Sequence, residues 1–256
     1  EAGEKAISAQ HIEKTIEEKE YRSNWIEERY RELIQSGVIA IRTSGEEIGQ
    51  IHGLSVVDLG DIQSGRPSRI TATVGLGRQG VIDIEREAEL GGSIHTKGVL
   101  ILGGYLTRTY GQNQPLNLTG RLVFEQSYGK IDGDSASAAE LFALISALAD
   151  IPLKQNFAIT GSVDQNGRIQ AVGGINEKIE GVFHICKLQS FQRPYGVIIP
   201  AANAQHLMVK EEVEKAVSDG WFQIYAIETV DQGLELLTGR LAGLREQDGC
   251  FTPDSV

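Results

Sequence analysis

The chain has 256 residues, 41% of them hydrophobic and 23% charged, with a formal net charge of −11. That balance is the one expected of a soluble globular protein, and the excess of acid argues against a surface that tracks nucleic-acid phosphates. No apolar run reaches the roughly eighteen residues that a membrane-spanning helix needs, no signal-peptide pattern opens the chain, and Cys186 and Cys250 lack metal-ligand spacing. A reduced, cytoplasmic setting with at most one disulfide is the simplest expectation.

Residues 1–37 are dense in Glu, Lys and Arg and are predicted to be helical. Ser8 is placed to cap a helix carrying Ile12 and Ile16, and a second helical stretch carries Trp25, Ile26, Tyr30 and Leu33 before a Ser36-Gly37 stop. The apolar stripe is thin, so the segment must pack on the body of the chain or on sequence upstream. The only methionine is Met208 and the chain opens on Glu1, so a piece of a longer protein is expected.

From Val38 the pattern alternates. "VIAIRTSGEEIGQIHGLSVVDLG" predicts strand, turn and strand, with Gly45 and Gly49 as punctuation, and "SRITATVGLGRQGVIDIERE" predicts the same. Gly75, Gly77 and Gly80 formally match a dinucleotide fingerprint, but a strand pattern follows where that motif requires a helix. "HTKGVLILGGYLTRTYG" has an apolar run, Val99 to Leu102, followed by helix-compatible residues, and "LTGRLVFEQSYG" is a predicted strand. After a long apolar helix, "FAITGSVDQNGRIQAVGG" predicts a hairpin turning at Asn166-Gly167. A helix from about Asn176, a buried strand in "YGVIIPAAN", a helix over about 204–218, a strand in "WFQIYAIETV", and a closing helix through Leu237 complete the order. Strands and helices mix without a βαβ rhythm, which indicates an α+β fold.

The stretch "KIDGDSASAAELFALISALAD" crowds polar residues at the entrance of that apolar helix. Leu141, Leu144, Ile145 and Leu148 form its stripe, widened by Phe142, and Ser137 with Glu140 fits a capping box. Asp134, Ser135 and Ser137 can be read simply as caps. Alternatively, the Gly133-Asp134-Ser135 turn delivers a nucleophilic hydroxyl to a helix N-terminus, whose unpaired N–H groups suit an oxyanion. A hydroxyl needs a base. His184 and His206 follow the serine, but neither sits in a glycine-rich turn and no hydrolase-type oxyanion motif accompanies them. In "VGGINEKIEGVFHICK", Lys178 falls at the edge of the apolar side while Glu177 and Glu180 point away. It is either a snorkelling lysine or an amine whose pKa is lowered by a partly dry site. Thr160, on the less apolar face of "FAITGSV", either fills a strand or holds that amine with its hydroxyl.

Taken together, "GDSAS" heading an apolar helix, "AITGSV" some twenty residues on, and "GGINEKI" after a hairpin resemble the proteolytic domain of Lon proteases. The "DGDSAS" form is similar to the archaeal-type and related bacterial Lon-like branch. The resemblance implies an α+β proteolytic domain over 38–240, preceded in 1–37 by the last helices of an AAA+ module and followed by a tail, 241–256. It implies that Ser135 is the nucleophile, Lys178 its general base, and Thr160 the hydroxyl that positions the lysine. Asp132 matches an acidic position that can approach the lysine and hold it inactive. The backbone N–H groups of Ser135 and Ala136 are the candidate oxyanion donors, and Glu125 is an upstream acidic residue expected to line the site. The classical branch's histidines before the serine have no counterpart in "RLVFEQSYGK". The implied activity is hydrolysis of peptide bonds in unfolded or damaged polypeptides by a homohexameric ring. No metal or cofactor is expected in this chain. It contains no Walker A sequence, so ATP and Mg would belong to the upstream AAA+ module. The rivals are a non-catalytic ring-assembly module, with Lys178 clamped by Asp132, and a nucleic-acid-binding domain.

Overall fold

The computed structural model describes residues 6–23, 25–58, 60, 63–113, 115–188, 194–246 and 251–256. Cys250 lies outside these, and the expectation about a disulfide with it. Helix α1 (Ala9–Ser23) begins where Ser8 Oγ accepts the His11 amide at 3.4 Å, and α2 (Trp25–Gln35) stops at Gly37, whose φ is 77°. Four strands follow, β1 (Glu46–Glu47), β2 (Gln50–Asp58), β3 (Gln63–Leu76) and β4 (Gly80–Asp83), then a short α3 (Ile84–Glu87), the long α4 (Ser93–Tyr110) and β5 (Leu118–Phe124). α5 (Ser137–Ala149) leads to β6 (Leu153–Lys154), β7 (Phe157–Ile159), β8 (Ser162–Val163) and β9 (Ile169–Gln170). α6 (Ile175–Leu188), β10 (Tyr195–Pro200), a 3-10 helix (Ala201–His206), α7 (Glu211–Ser218), β11 (Phe222–Ile227) and α8 (Val230–Thr238) complete the chain order.

Seven strands form one mixed sheet in the order β11-β10-β7-β2-β3-β5-β4. β2, β7, β10 and β11 run parallel, whereas β3 is antiparallel to both β2 and β5, and β4 joins β5 in parallel. β1 pairs with β6, and β8 with β9, in two small antiparallel ladders. The strict side-to-side alternation of strands divides the core in two. Ile51, Ile70, Ile159 and Ile198 face α4, α5 and α8, while Leu54, Ala158, Val197 and Ile199 face α6 and α7. The sheet is therefore covered on both faces, as its parallel half requires. Its end at β7 points Thr160, in register with Ala158, toward the α6 side.

Two predicted elements take other forms. The first strand expected from Val38, residues 38–43, joins no ladder, whereas the second is β2. Two amides of the first go to side chains instead, that of Ala40 to Gln126 Oε1 (2.9 Å) and that of Arg42 to the buried His52 Nε2 (3.4 Å), while the Ile39 amide donates back to the Leu33 carbonyl (3.0 Å). The helix expected over 204–218 is split into the 3-10 turn and α7. Between them the backbone is extended at Leu207 and Lys210, where the Met208 amide donates to Asn176 Oδ1 (2.8 Å) and the Lys210 amide to Glu180 Oε1 (3.1 Å). In the glycine-rich stretch, Gly80 opens β4, as its strand pattern predicted.

α2 is fastened to the sheet at one place. Tyr30 donates its hydroxyl to the Pro67 carbonyl at 2.9 Å, and Arg66 donates its Nε to the buried Glu27 carboxylate at 2.9 Å while its guanidinium lies 4.5 Å over the Tyr30 ring. Ile12 and Ile16 of α1 remain exposed.

Candidate active site

The apolar run after Ser135 makes α5 a helix buried on all sides from Ser137 to Ser146, though the last residue of its predicted stripe, Leu148, is 40% exposed. The turn before it needs Gly133, whose φ of 96° is strained for any side chain. The end of β7 is stitched to this turn. Gly161 donates its amide to the Ser135 carbonyl at 2.8 Å, Thr160 donates its hydroxyl to the same oxygen at 3.1 Å, and Ala138 donates to the Gly161 carbonyl at 3.1 Å.

On the other side, α6 lies against β3 backbone to backbone. A Cβ on Gly65 would fall 2.0 Å from the Glu177 carbonyl oxygen and 2.5 Å from Lys178 Cα, and one on Gly181 would fall 1.9 Å from the Gly65 carbonyl oxygen. These two glycines let the helix settle deeply enough for Lys178, only 2% exposed, to reach under the turn. Its Nζ donates to Ser135 Oγ at 3.0 Å and to Thr160 Oγ1 at 3.0 Å. Burial lowers the lysine's pKa to about 8, against the smaller opposing pull of Asp134 and Glu177. Ser135 is itself half-buried. The amides of Ser135 and Ala136 donate to nothing among the described residues, so the turn offers two free N–H groups beside the hydroxyl. The arrangement is a hydroxyl, an amine that can be neutral near physiological pH, and an anion-stabilising corner.

The remaining candidates lie elsewhere. Asp132 is turned away from the lysine: its Oδ1 accepts the amides of Gly133 (2.9 Å), Ile94 (3.1 Å) and His95 (3.3 Å), the last two at the start of α4. These hydrogen bonds, Gly133's and His95's foremost, hold its carboxyl below the usual range. Among the described residues it makes no ion pair with Lys178. Glu125 accepts the Thr71 hydroxyl at 2.8 Å and lines, with Val56, Arg69, Tyr128, Lys130 and Asp132, a cleft of about 440 Å³ beside the segment leading to the turn. The capping box does not form. Ala136 is the N-cap without a side-chain bond, Ser137 Oγ accepts the Val163 amide at 3.1 Å, and Glu140 is buried beside His95. His184 faces Glu212 at 3.8 Å, and burial drops its pKa to about 4. His95, Asp83 and Glu140 form a buried polar cluster next to the turn that the sequence pattern does not reveal; the one available signal is a glutamate inside an otherwise apolar helix. Among the described residues, no group of three or more His, Cys, Asp or Glu is placed to hold a metal ion, and no helix is long and apolar enough to cross a membrane.

Residues 126–239 match the family model of the Lon protease (S16) C-terminal proteolytic domain. The chain carries a Lon-family proteolytic domain. A Lon protease homolog of Escherichia coli (strain K12) is 48% identical over 233 residues, covering 90% of this chain and 40% of its own length. One from Haemophilus influenzae is 44% identical over 237 residues, covering 92% of this chain and 39% of its own. The archaeal Lon protease of Methanocaldococcus jannaschii is 34% identical over 226 residues, covering 81% of this chain and 32% of its own. The chain thus spans about two fifths, or less, of the length of these curated relatives. The matched span of the Lon domain holds Ser135, Thr160 and Lys178; β2, β3, β4 and β5 precede it and complete the same sheet.

Proposed function

We propose that the chain is the peptidase part of a Lon-like protease and cleaves peptide bonds with a Ser135–Lys178 dyad. The observation that carries this is the 3.0 Å approach of a buried lysine amine to Ser135 Oγ, with Thr160 as its second partner. With a pKa of about 8, a useful fraction of Lys178 is neutral near physiological pH. The neutral amine takes the Ser135 proton as Oγ attacks the scissile carbonyl carbon. The Ser135 and Ala136 amides receive the oxyanion. The resulting ammonium returns that proton to the leaving amine, which departs and leaves an acyl-serine ester. Water, deprotonated by the same amine, then resolves the ester and restores the serine. Thr160 Oγ1 holds Nζ on the correct side of Ser135 throughout.

In the same reading the substrates are unfolded or damaged polypeptides and the assembly is a homohexameric ring in the cytoplasm. Residues 1–37 are the last helices of an AAA+ module, where any ATP and Mg would act, residues 38–240 are the peptidase, and 241–256 are a tail. The assembly-module alternative needs Asp132 on Lys178, and the hydrogen bonds of Asp132 to α4 do not favour it.

The test is hydrolysis of a fluorogenic unstructured protein by the chain beside Ser135→Ala and Lys178→Ala. Cleavage is expected to vanish in both variants while circular dichroism shows an intact fold. Equal cleavage in all three would overturn the dyad.

A further inference from the structure

One residue grips the nucleophile turn from both flanks. His95 stands in the first turn of α4 and is 1% exposed. Its backbone amide donates to Asp132, three residues before Ser135. Its ring Nε2 lies 3.9 Å from Oε1 of Glu140, five residues after Ser135, and 3.2 Å from Oδ2 of Asp83 at the end of β4. These three buried side-chain atoms make no hydrogen bond; they face one another only as neighbours within ion-pair distance. The cluster is anchored on its far side, because Asp83 Oδ1 accepts the Glu85 amide at 3.0 Å and Glu85 Oε1 accepts the Phe124 amide at 3.0 Å. The ring itself stands edge-on to Phe124, 5.6 Å between centroids. The chain before the turn is tied to the same α3–α4 connection, with Ile131 donating to the Leu90 carbonyl (2.9 Å) and Gly92 donating to the Ile131 carbonyl (2.7 Å).

Such a cluster is a poor way to gain stability. Burying carboxylates and an imidazole costs more than an apolar layer of the same volume, and the rest of this face of α5 is apolar. What a polar contact adds is direction. Leucines and alanines would let α5 slide along α4, whereas a ring nitrogen lodged between the Asp83 and Glu140 carboxyls, 3.2 and 3.9 Å away, favours one register of the two helices. Burial pushes the Glu140 carboxyl up to about 7; it also pulls the imidazole down, but the adjacent Asp83 carboxylate and the charges of Glu140 and Glu85 outweigh it.

We propose that His95 is a positioning residue for Ser135, holding the nucleophile turn through Asp132 on one flank and Glu140 on the other. This rests on Ser135 being the nucleophile. It touches neither substrate nor reacting atoms; it sets the distance between Ser135 Oγ and the lysine.

The experiment compares the chain with His95→Leu, His95→Gln, Asp132→Ala and Ser135→Ala, measuring kcat and KM on the fluorogenic protein and the rate at which a fluorophosphonate labels Ser135. His95→Leu, folded by circular dichroism, is expected to lose about tenfold or more in kcat with KM within about twofold, and to slow labelling equally, as a misplaced nucleophile does. His95→Gln, whose amide nitrogen reaches the place of Nε2, is expected to recover most of both rates. A folded His95→Leu chain with wild-type kcat and labelling rate overturns the proposal. So does a Gln variant no better than Leu. Should His95→Leu fail to fold, Asp132→Ala, on the exposed flank, decides: a tenfold loss in kcat supports the proposal and a wild-type value overturns it. If Ser135→Ala cleaves as fast as the unmodified chain, the nucleophile assignment itself has failed, and this outcome is distinct from the others.

Discussion

Replacing Gly65 by alanine tests whether the contact between β3 and α6 sets the catalytic distance. The added methyl would stand 2.0 Å from the Glu177 carbonyl oxygen, 2.5 Å from its carbon and 2.5 Å from Lys178 Cα. Non-bonded carbon contacts sit near 3.5 Å, so strand and helix must part by about 1 Å or more. All three clashing atoms are backbone, so no side-chain rotation relieves them. Overpacking of this kind costs about 1–3 kcal/mol of stability. The catalytic cost is of similar size. Lys178 rides on the displaced helix, and a shift of about 1 Å at a reacting pair is worth about 100-fold in rate. The assay is kcat on the fluorogenic protein at a temperature where circular dichroism shows the variant folded. Gly103→Ala is the control, since its Cβ would meet nothing within 4 Å and alanine suits a helix. A folded Gly65→Ala chain with kcat within about twofold of the unmodified one would refute the reasoning, because a helix free to move by that much cannot owe its base position to this contact.

Thr160→Val keeps the shape of a fully buried side chain but deletes the hydroxyl that accepts from Lys178 and donates to the Ser135 carbonyl. A hydrogen bond to a charged group is worth about 1.5–3 kcal/mol, so kcat should fall at least about tenfold, and Thr160→Ser should restore most of it. Activity should rise with pH through about 8, as Lys178 loses its proton. Folding should follow the same group. The unfolded chain keeps the lysine proton to its ordinary 10.5, whereas the folded chain releases it near 8, so this residue's contribution to stability grows between those values as pH rises. Unfolding free energies from urea titrations at about pH 7.5 and 9.5 should differ by about 1–2 kcal/mol more for the unmodified chain than for Lys178→Met, and equal differences would show that the amine is not desolvated.

The elements with a strong period were readable from the chain itself. Alternation in β3 and β5, the Asn166-Gly167 turn and the apolar stripe of α5 all depend on local pattern. Misreadings came where a distant partner overrides that pattern. Residues 38–43 alternate like a strand, but Gln126 and His52 take the amides of Ala40 and Arg42, and the Leu33 carbonyl takes that of Ile39. The stretch 204–218 has helix formers throughout, but Asn176 and Glu180, on α6, capture two amides and open it. Ser137 and Glu140 have capping-box spacing, yet Val163 and His95 lie nearer in space than each other's backbone groups. For the candidate site, helical geometry placed Lys178 only at a boundary between dry and wet. Its full burial depends on the lack of side chains at Gly65 and Gly181, which no period records. Asp132 carried the right charge for a lysine partner but sits where the start of α4 offers amides.

The grip of α2 on the sheet is one peptide unit from the glycine that bears on Lys178. Glu27 holds Arg66 and Tyr30 holds Pro67, while the residue just before them, Gly65, bears directly on the helix of Lys178. The two N-terminal helices are thus a crank attached at the pivot rather than at the rim. A pull or twist arriving along them would meet the strand at the spot where it props the amine, before it could be absorbed by the remainder of the sheet.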